Sequence, residues 1–350
     1  MKRILTLLLV FCVLASSVFF LIGCSEHPST DSITIAIPDG GPSLGMAYLI
    51  KEFAEINGTK VTYSIVDGAA GIKSAVMSGE ADIAIMPTNM AAILYNQNIP
   101  IKLVGTNSYG LLYMLSTVAT ADAFTLDSLK GKILHTVGEG GTPEIVLKKI
   151  LEAADLEYVD SPDAPVEGKV GIKYHEEGST IVGGLKQGKI QYAILGEPAV
   201  STAIQKVGGT LTIVCDLQEE WATATGTQAS YPQTALVAKA SLIKSDPKLV
   251  NKVAKLTVDN AIELTKDAAP LIDCLREKGA TVPDAFGADG VARANIDPTF
   301  ARTAKTDITN YFNILQAFKP QLIGGKLPDD DFYYDSAEIE AYKELVTALA

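Results

Sequence analysis

The sequence predicts an α/β protein of two similar lobes, each a mostly parallel sheet flanked by helices, with two crossover segments at the hinge between them. The first observation is a repeat: residues 72–87 and 181–196, which lie 109 positions apart, each have the pattern of a helix that ends at a glycine, a short apolar strand and a loop that opens another helix. The second observation is that the preceding strands, 33–37 and 133–137, each lead into a Gly-rich loop. Two such halves predict a shared cleft, because ligands bind beyond the carboxyl ends of parallel strands.

The N-terminal residues have the pattern of an export signal. Lys2 and Arg3 precede an apolar run over residues 4–22, and the run ends in Leu-Ile-Gly-Cys. An uncleaved signal anchor is the alternative, because the run is close to the ~18 residues that a membrane span needs. The Leu-x-Gly-Cys ending resembles the bacterial lipobox, which implies a signal peptide over 1–23, a lipid such as palmitate on Cys24 and a polar tether over 24–32.

Charge and composition exclude several classes of partner. The net charge of −12 becomes −14 once residues 1–23 are removed, since that segment carries two basic residues and no acidic one. A strongly acidic chain argues against nucleic-acid binding and against electrostatic attachment to anionic lipid. The 327 residues that remain (350 − 23) are enough for two lobes. Cys215 and Cys274 fall in a predicted strand and a predicted helix, and the sequence leaves open whether they form a disulfide.

The first lobe is predicted to contain four strands that end in small polar residues. A helix is predicted over 44–56, with Ser43 as its N-cap and Gly58 as its stop. In chain order, the strands are 33–37, which leads to Asp39 and Gly40; 60–66, which leads to Asp67 and Gly68; 82–86, which leads to Thr88 and Asn89; and 101–105, which leads to Asn107 and Ser108.

A long apolar strand over 111–119 is predicted to cross into the second lobe. There Thr142 is a good N-cap and Pro143 fits the first helical position. Later strands over 169–174 and 191–195 lead to loops with the same polar character. The predicted organisation is lobe I over 31–110 and 226–350 and lobe II over 111–225, with a return strand at 234–240 and helices at 247–266, 270–278 and 303–318.

The sequence contains little catalytic or metal-binding chemistry. Its three histidines, His27, His135 and His175, are far apart in the chain, and the last lacks the second histidine of a zinc helix. Nucleophile-elbow, phosphate-loop and complete dinucleotide-binding patterns are also absent from the sequence. We therefore predict no catalytic residue, no metal site and no cofactor. What remains is a set of loops rich in Gly, Ser, Thr and Asn, whose backbone N–H groups either bind a small ligand or simply form turns.

Several motifs occur in a fixed order along residues 31–334. They are Ser-Gly-Glu-Ala-Asp-Ile-Ala and Pro-Thr-Asn within 78–89, Leu-Lys-Gly-Lys at 129–132, Gly-Glu-Gly-Gly-Thr-Pro at 138–143, Gly-Glu-Pro-Ala at 196–199 and the segment 324–333. This order resembles the substrate-binding proteins of ABC importers, in particular the nitrate/sulfonate/taurine and thiamine-pyrimidine-precursor group. The resemblance implies a type II periplasmic-binding fold whose lobes close on a ligand. It also implies a monomeric, extracytoplasmic lipoprotein, at the cell surface or in the periplasm, that docks on a membrane permease driven by an ATPase.

The resemblance further implies which positions contact the ligand. They are the polar residues of the loops described above, and Thr142 would both cap its helix and offer a hydroxyl. The implied contacts are Asp39, Gly40, Asp67, Gly68, Thr88, Asn89, Asn107 and Ser108 from lobe I, Gly140, Gly141, Thr142, Ser179 and Glu197 from lobe II, and Gln233 at the hinge.

These loops favour a neutral or cationic ligand, such as a heterocycle or an amine. They contain no Lys or Arg, and their acidic residues would repel a bare anion by ~1–4 kcal/mol per close charge. An alternative ligand is a sulfonate, nitrate or carboxylate held on helix N-termini, for which Arg293 is the basic residue to examine. Alternatives for the whole chain are an enzyme on the same fold, in pyrimidine or menaquinone precursor synthesis, and a lipoprotein sensor. Candidate stacking partners are Tyr48, Tyr109, Trp221 and Tyr231.

Overall fold

The structure, a computed structural model, describes residues 30–227 and 230–349 of the chain. The predicted signal peptide, Cys24 and the tether up to residue 29 lie outside the described residues. The described part of the chain forms two six-stranded sheets. Numbered along the chain, the strands are β1 (Ser32–Pro38), β2 (Glu55–Ile56), β3 (Thr59–Val66), β4 (Ile83–Pro87), β5 (Ile101–Tyr109), β6 (Leu112–Ser116), β7 (Lys132–Val137), β8 (Tyr158–Asp160), β9 (Val170–His175), β10 (Tyr192–Gly196), β11 (Thr212–Asp216) and β12 (Pro232–Lys239).

Helices cover both faces of both sheets and make up most of the C-terminal part of the chain. Apolar side chains from the two faces of each sheet pack against different helices. The α-helices are α1 (Ala47–Glu52), α2 (Gly68–Met77), α3 (Thr88–Asn96), α4 (Thr142–Ala153), α5 (Gly178–Lys186), α6 (Ala199–Val207), α7 (Leu217–Thr225), α8 (Ala240–Ser245), α9 (Pro247–Lys266), α10 (Ala269–Glu277), α11 (Ala288–Arg293), α12 (Ala301–Phe318) and α13 (Ala337–Leu349).

The first sheet has the strand order β2-β3-β1-β4-β12-β5, and we call this sheet with its helices lobe I. Strand β1 pairs in parallel with β3 and β4. Strand β12 is antiparallel to both β4 and β5, so β5 runs in the same direction as β4. The carboxyl ends of β1, β3, β4 and β5 therefore lie along one edge of the sheet.

The second sheet has the order β11-β6-β10-β7-β9-β8, and we call it with its helices lobe II. Strand β7 is parallel to β9 and β10, whereas β6 is antiparallel to β10 and β11. The chain enters this sheet between Tyr109 and Leu112 and leaves it between Asp216 and Pro232. The predicted two-lobed α/β class is confirmed. Both sheets are mixed because the strands next to the crossovers run antiparallel to their neighbours.

One hydrophobic cluster runs through both lobes. It joins buried residues such as Met86 and Phe312 of lobe I to Leu134 and Ile172 of lobe II. At the hinge it contains three stacked or edge-packed aromatic rings, with centroids 5.4 to 6.2 Å apart. We call these rings, which belong to Trp221, Tyr231 and Tyr311, the hinge aromatic cluster.

The repeated segments form equivalent units, but two predicted elements are shorter than expected. Helix α2, strand β4 and helix α3 correspond to α5, β10 and α6. The predicted helix over 44–56 is wrong: a 3₁₀ turn spans Gly41–Met46 and the helix ends at Glu52. Ser43 is not its N-cap, because the hydroxyl donates to the carbonyl of Gly40 at 2.7 Å. The predicted strand over 111–119 ends at Ser116, whose hydroxyl accepts the next amides and turns the chain.

Cys215 and Cys274 are not bonded to each other. Cys215 in β11 and Cys274 in α10 are both free thiols and half-buried. Burial raises the pKa of Cys215 to about 12, so its reactive thiolate form is suppressed at neutral pH.

Candidate ligand-binding cleft

The polar edges of the two sheets face each other and touch. The loop after β1 reaches the loop after β10, since a β-carbon on Gly41 would lie 2.9 Å from the carbonyl oxygen of Glu197. At a second point, the hydroxyls of Thr142 in α4 and Tyr311 in α12 are 3.3 Å apart. The gap between the lobes is therefore closed at both of these points.

Asp39 and Gly40 form a tight loop at the end of β1. One carboxylate oxygen of Asp39 accepts the backbone N–H of Gly40 and that of Thr281, both at 2.7 Å. Gly40 has a φ of 93°, a conformation that favours glycine. The charge of Asp39 is thus partly satisfied by backbone amides, one of which belongs to the segment after α10.

Asp67 and Gly68 lie at the exposed start of α2. The side chain of Asp67 makes no capping hydrogen bond to the helix, and a β-carbon on Gly68 would meet nothing within 4 Å. These two residues face open space next to the cleft edge.

Thr88 and Gln233 carry buried oxygens that lack a hydrogen-bond partner among the described residues. Thr88 is 0% exposed and is the first residue of α3. Strands β4 and β12 pair Pro87 with Thr234 in antiparallel register, so Thr88 and Gln233 each lie one residue beyond the last pair of this ladder. A buried polar group without a partner costs ~1–3 kcal/mol, so a ligand that supplied the missing partners would recover this free energy.

Asn89, Asn107 and Ser108 make hydrogen bonds within lobe I. The amide of Asn89 donates to the carbonyl of Leu322 at 3.2 Å. Asn107 and Ser108 are buried, and the hydroxyl of Ser108 lies 2.6 Å from that of Thr234. Asn107 also donates to the carbonyl of Pro42 at 3.3 Å, although its side-chain oxygen has no partner among the residues described. These contacts hold β5 against its neighbours.

The Gly-rich loop before α4 is partly filled by the protein itself. The N–H of Gly140 donates to the carboxylate of Glu144, and Gly141 donates to the carbonyl of Gly138 at 2.9 Å. Lys148 pairs with Glu144 at 2.7 Å and extends the network inward. The start of α4 therefore presents fewer free amides than its sequence predicts. At α5, the hydroxyl of Ser179 donates to Glu177 at 2.9 Å and is exposed.

Glu197 is enclosed at the boundary of the two lobes. Its side chain is 0% exposed and lies 2.6 Å from Nε of Arg293. The other bonds come from Ser201, whose N–H and hydroxyl donate at 3.1 and 3.0 Å. The carboxylate is thus paired with the basic residue singled out in the sequence.

The candidate stacking residues have different environments. Trp221 and Tyr231 are 2% and 0% exposed and belong to the hinge aromatic cluster. Tyr48 packs edge-on against Phe53 in lobe I. Tyr109 is half-buried, and burial raises its pKa. Of these four side chains, Tyr109 lines a cavity of ligand size.

That cavity lies beside the hinge and was not predicted from the sequence. Its volume is about 1160 Å³, and it is lined by Tyr109, by Asp216 and Gln218 of lobe II and by residues of the helices after β12. Burial raises the pKa of Asp216, which caps α7 by accepting the N–H of Gln218 at 2.8 Å. In the sequence, the polar residues at the start of α7, directly before the return crossover, are the pattern that could have predicted this cavity.

His135 and His175 come together on neighbouring strands of lobe II. Nδ1 of His135 lies 2.8 Å from Nε2 of His175. Burial, with His175 and Lys173 nearby, lowers the pKa of His135 to about 4. Residues 30–227 and 230–349 hold no cluster of three or more metal-ligating side chains. Nor do they include a helix with the length and apolar character that a membrane span requires.

No protein-family model matches the sequence, and no curated protein matches it. Similar solved structures come from ABC transport systems. An ABC transporter protein of Parabacteroides distasonis is 24% identical, with a TM-score of 0.74 over 87% of this chain and 99% of that one. The periplasmic aliphatic sulphonate-binding protein SsuA of Escherichia coli is 13% identical, with a TM-score of 0.63 over 88% and 94%. A putative periplasmic sulfonate-binding SsuA of Methylobacillus flagellatus is 13% identical, with a TM-score of 0.60 over 91% and 96%.

These similarities span nearly the whole length of each relative. At such low identities they establish a shared fold, while each ligand named above belongs to its own protein. The fold that the order of motifs predicted is confirmed: the chain has the two-lobed fold of the periplasmic binding proteins of ABC transporters.

Proposed function

We propose that the protein is an extracytoplasmic solute-binding protein that captures a small organic molecule between its two lobes and delivers it to an ABC importer. The fold and the facing polar edges of the sheets support this proposal. A ligand shifts lobes between open and closed states only through extra contacts in the closed state. Groups that lack a partner when the cleft is empty can make such contacts.

The buried oxygens of Thr88 and Gln233 are the observation that carries the proposal. The side-chain oxygen of Gln233 requires a donor, and the hydroxyl of Thr88 can donate or accept. Thr88 is the first residue of α3, whose first amides are further donors. A ligand with a hydrogen-bond donor beside an acceptor fits this arrangement. We therefore favour a neutral or cationic heterocycle or amine.

A second candidate ligand is a small anion such as a sulfonate or carboxylate. Helices α2, α3, α4 and α5 start at the cleft edges without a side-chain N-cap bond, which leaves amides and partial positive charge at four positions. Against the anion, Arg293 is already paired with Glu197. A direct comparison of both ligand classes separates the two candidates.

The attachment and partners belong to the same proposal. Cys24 would carry the lipid that holds a monomeric protein at the membrane, next to the permease and its ATPase, and the protein would have no catalytic role. Metabolic labelling with palmitate tests the anchor. Incorporation into the wild type but not into Cys24→Ser is expected, and equal labelling of both would contradict it.

Thr88→Val provides the test of the cleft itself. A thermal-shift screen of heterocycles, amines, sulfonates and carboxylates first identifies a ligand, because binding adds RT ln(1 + [L]/Kd) to stability. Valine keeps the shape of threonine but removes the hydroxyl. Without ligand we expect an unchanged or higher Tm, since Oγ1 of Thr88 has no partner to lose among the described residues. With ligand we expect affinity to fall by about tenfold, as for one lost hydrogen bond.

Thr257→Val is the matched control. Thr257 is also buried, but its hydroxyl donates to the carbonyl of Ala254 at 2.7 Å, away from the cleft. This variant should lower the Tm and leave affinity unchanged. If Thr88→Val bound the ligand as tightly as the wild type, Thr88 would not be a contact and the proposed cleft would lose its main support.

A further inference from the structure

A short segment of lobe I makes several polar contacts with lobe II. This segment comprises α11 (Ala288–Arg293) and the two residues after it, and we call it the α11 arm. Its Arg293 is held on two sides: Nε reaches Glu197 at 2.6 Å, and Nη2 reaches the hydroxyl of Ser201 at 3.2 Å. The carbonyl of Arg293 accepts the hydroxyl of Tyr113 at 3.0 Å. All three partners lie in lobe II.

The same arm is tied to lobe I and to the first crossover. The carbonyl of Asn295 accepts the N–H of Tyr109 at 3.0 Å, and the side-chain amide of Asn295 donates to the carbonyl of Gly110. The arm therefore starts from a fixed position in lobe I and reaches across the hinge.

The arm packs tightly against lobe II at Gly290, beside a cavity of about 330 Å³ that Ser201 of lobe II and Arg293 of the arm both line. A β-carbon on Gly290 would lie 2.8 Å from the hydroxyl of Ser201 and 2.7 Å from the ring of Phe286. The Glu197 side chain is 0% exposed and is shielded from water, whereas that of Arg293 is 20% exposed. In such surroundings a charge without its partner is strongly unfavourable.

We propose that the α11 arm is a clamp that holds the two lobes closed before any ligand binds, and that Arg293 is the residue on which the clamp depends. When the lobes open, Glu197 and Ser201 move away with lobe II and regain water. Arg293 therefore stabilises the closed form relative to the open one. The clamp raises the fraction of molecules in the closed form, and the apparent affinity for a ligand of the closed form rises with that fraction.

Only the effect of the clamp on ligand affinity rests on the proposed function. Its test contains no ligand, so failure of the clamp and failure of solute binding are distinguished. The separation of the lobes is measured by electron–electron resonance between nitroxide labels on Lys73→Cys in α2 and Thr180→Cys in α5, which are both exposed. Cys215 and Cys274 are replaced by alanine in every sample. Small-angle scattering of the label-free chain supplies an independent radius of gyration.

Arg293→Met should open the molecule. It leaves Glu197 buried and unpaired in the closed form, so the ratio of open to closed molecules should rise by about tenfold or more. The double variant Glu197→Gln and Arg293→Met removes the buried charge as well and should be less open than Arg293→Met alone. A purely structural role of Arg293 within lobe I would lower the Tm without changing the distance between labels.

Arg302→Met is the matched control, because Arg302 is 63% exposed and its nearest carboxylate, in Asp335, is 3.8 Å away. It should leave the distance distribution unchanged. If Arg293→Met does not fold, Arg293→Lys is measured instead: it keeps the charge, loses the second donor and should open the molecule to a smaller degree. A distance distribution for the folded variant identical to that of Arg302→Met would overturn the proposal.

Discussion

At the scale of single residues, polar side chains with the same sequence signature have different roles. Thr88, Asn107 and Glu197 were all expected to follow strands and to contact a ligand, although the structure extends β5 to Tyr109 and so places Asn107 within that strand. In the structure Thr88 has a buried hydroxyl without a partner among the described residues, Asn107 bonds to the turn after β1, and Glu197 is paired with Arg293. Burial and partners arise from tertiary packing, so the sequence could identify the loops but not the role of each residue in them. Whether each position contacts a ligand stays a prediction.

The histidine pair predicts a loss of stability in acid. Because the pKa of His135 is lowered to about 4 from 6.5, the unfolded chain binds more protons between these values, and the free energy of unfolding falls as pH drops through this range. The contribution of His135 to the free energy of unfolding is fully present above pH 6.5. It amounts to about 1–2 kcal/mol after allowance for solvent screening. Denaturation of the wild type and of His135→Leu between pH 4 and 7 measures it.

His135→Leu should have the flatter pH profile. An NMR titration of the ring protons adds a direct reading of the same group. A midpoint for His135 near 6.5 would contradict the inferred burial of this pair.

At the scale of secondary-structure elements, the order of strands and helices could be predicted because local patterns repeat. The units α2–β4–α3 and α5–β10–α6 appear in both lobes as the two similar segments indicated. The prediction of a helix over 44–56 was wrong because tertiary packing, rather than an N-cap, determines where this helix begins. The 3₁₀ turn approaches β5 so closely that a β-carbon on Gly45 would lie 2.1 Å from the side-chain oxygen of Asn107. Gly45 and Asn107 are far apart in the sequence, so no local sequence pattern predicts this contact.

Two adjacent glycines in α5 should respond in opposite ways to substitution by alanine. A β-carbon on Gly183 would meet nothing within 4 Å, whereas one on Gly184 would lie 2.5 Å from the side chain of Ile190. Gly183→Ala should stabilise the protein by ~0.5–1 kcal/mol, because alanine is the better helix former. Gly184→Ala should destabilise it by ~1–3 kcal/mol through overpacking. Urea denaturation of both variants provides the comparison, and stabilisation by both would mean that Ile190 moves aside at little cost.

At the scale of the whole molecule, the two lobes share a core as well as a cleft. The hydrophobic cluster that contains the hinge aromatic cluster extends from the first sheet into the second. The sequence predicted two lobes and their crossovers from the repeat, and the boundaries between lobes stay a prediction. It did not predict the shared core, since Trp221 and Tyr311 are far apart in the chain and no periodicity links them.

This shared core predicts that the lobes unfold together. Calorimetry should record one transition for the wild type, with calorimetric and van't Hoff enthalpies that agree. Tyr311→Ala removes a ring that touches both lobes and should lower the free energy of unfolding by ~3–5 kcal/mol. Calorimetry measures this loss of free energy as well, with far-ultraviolet circular dichroism as a second probe of unfolding. Two separate transitions in the wild type would show that each lobe is stable alone.

The hinge aromatic cluster has a practical consequence. Trp221 is the single tryptophan in the sequence, and its ring lies 6.0 Å from that of Tyr311 on the opposite lobe. A rotation between the lobes alters the surroundings of this one indole. Its emission wavelength and lifetime should therefore track the separation of the lobes in real time, so that the unmodified polypeptide acts as an optical sensor of its own conformation.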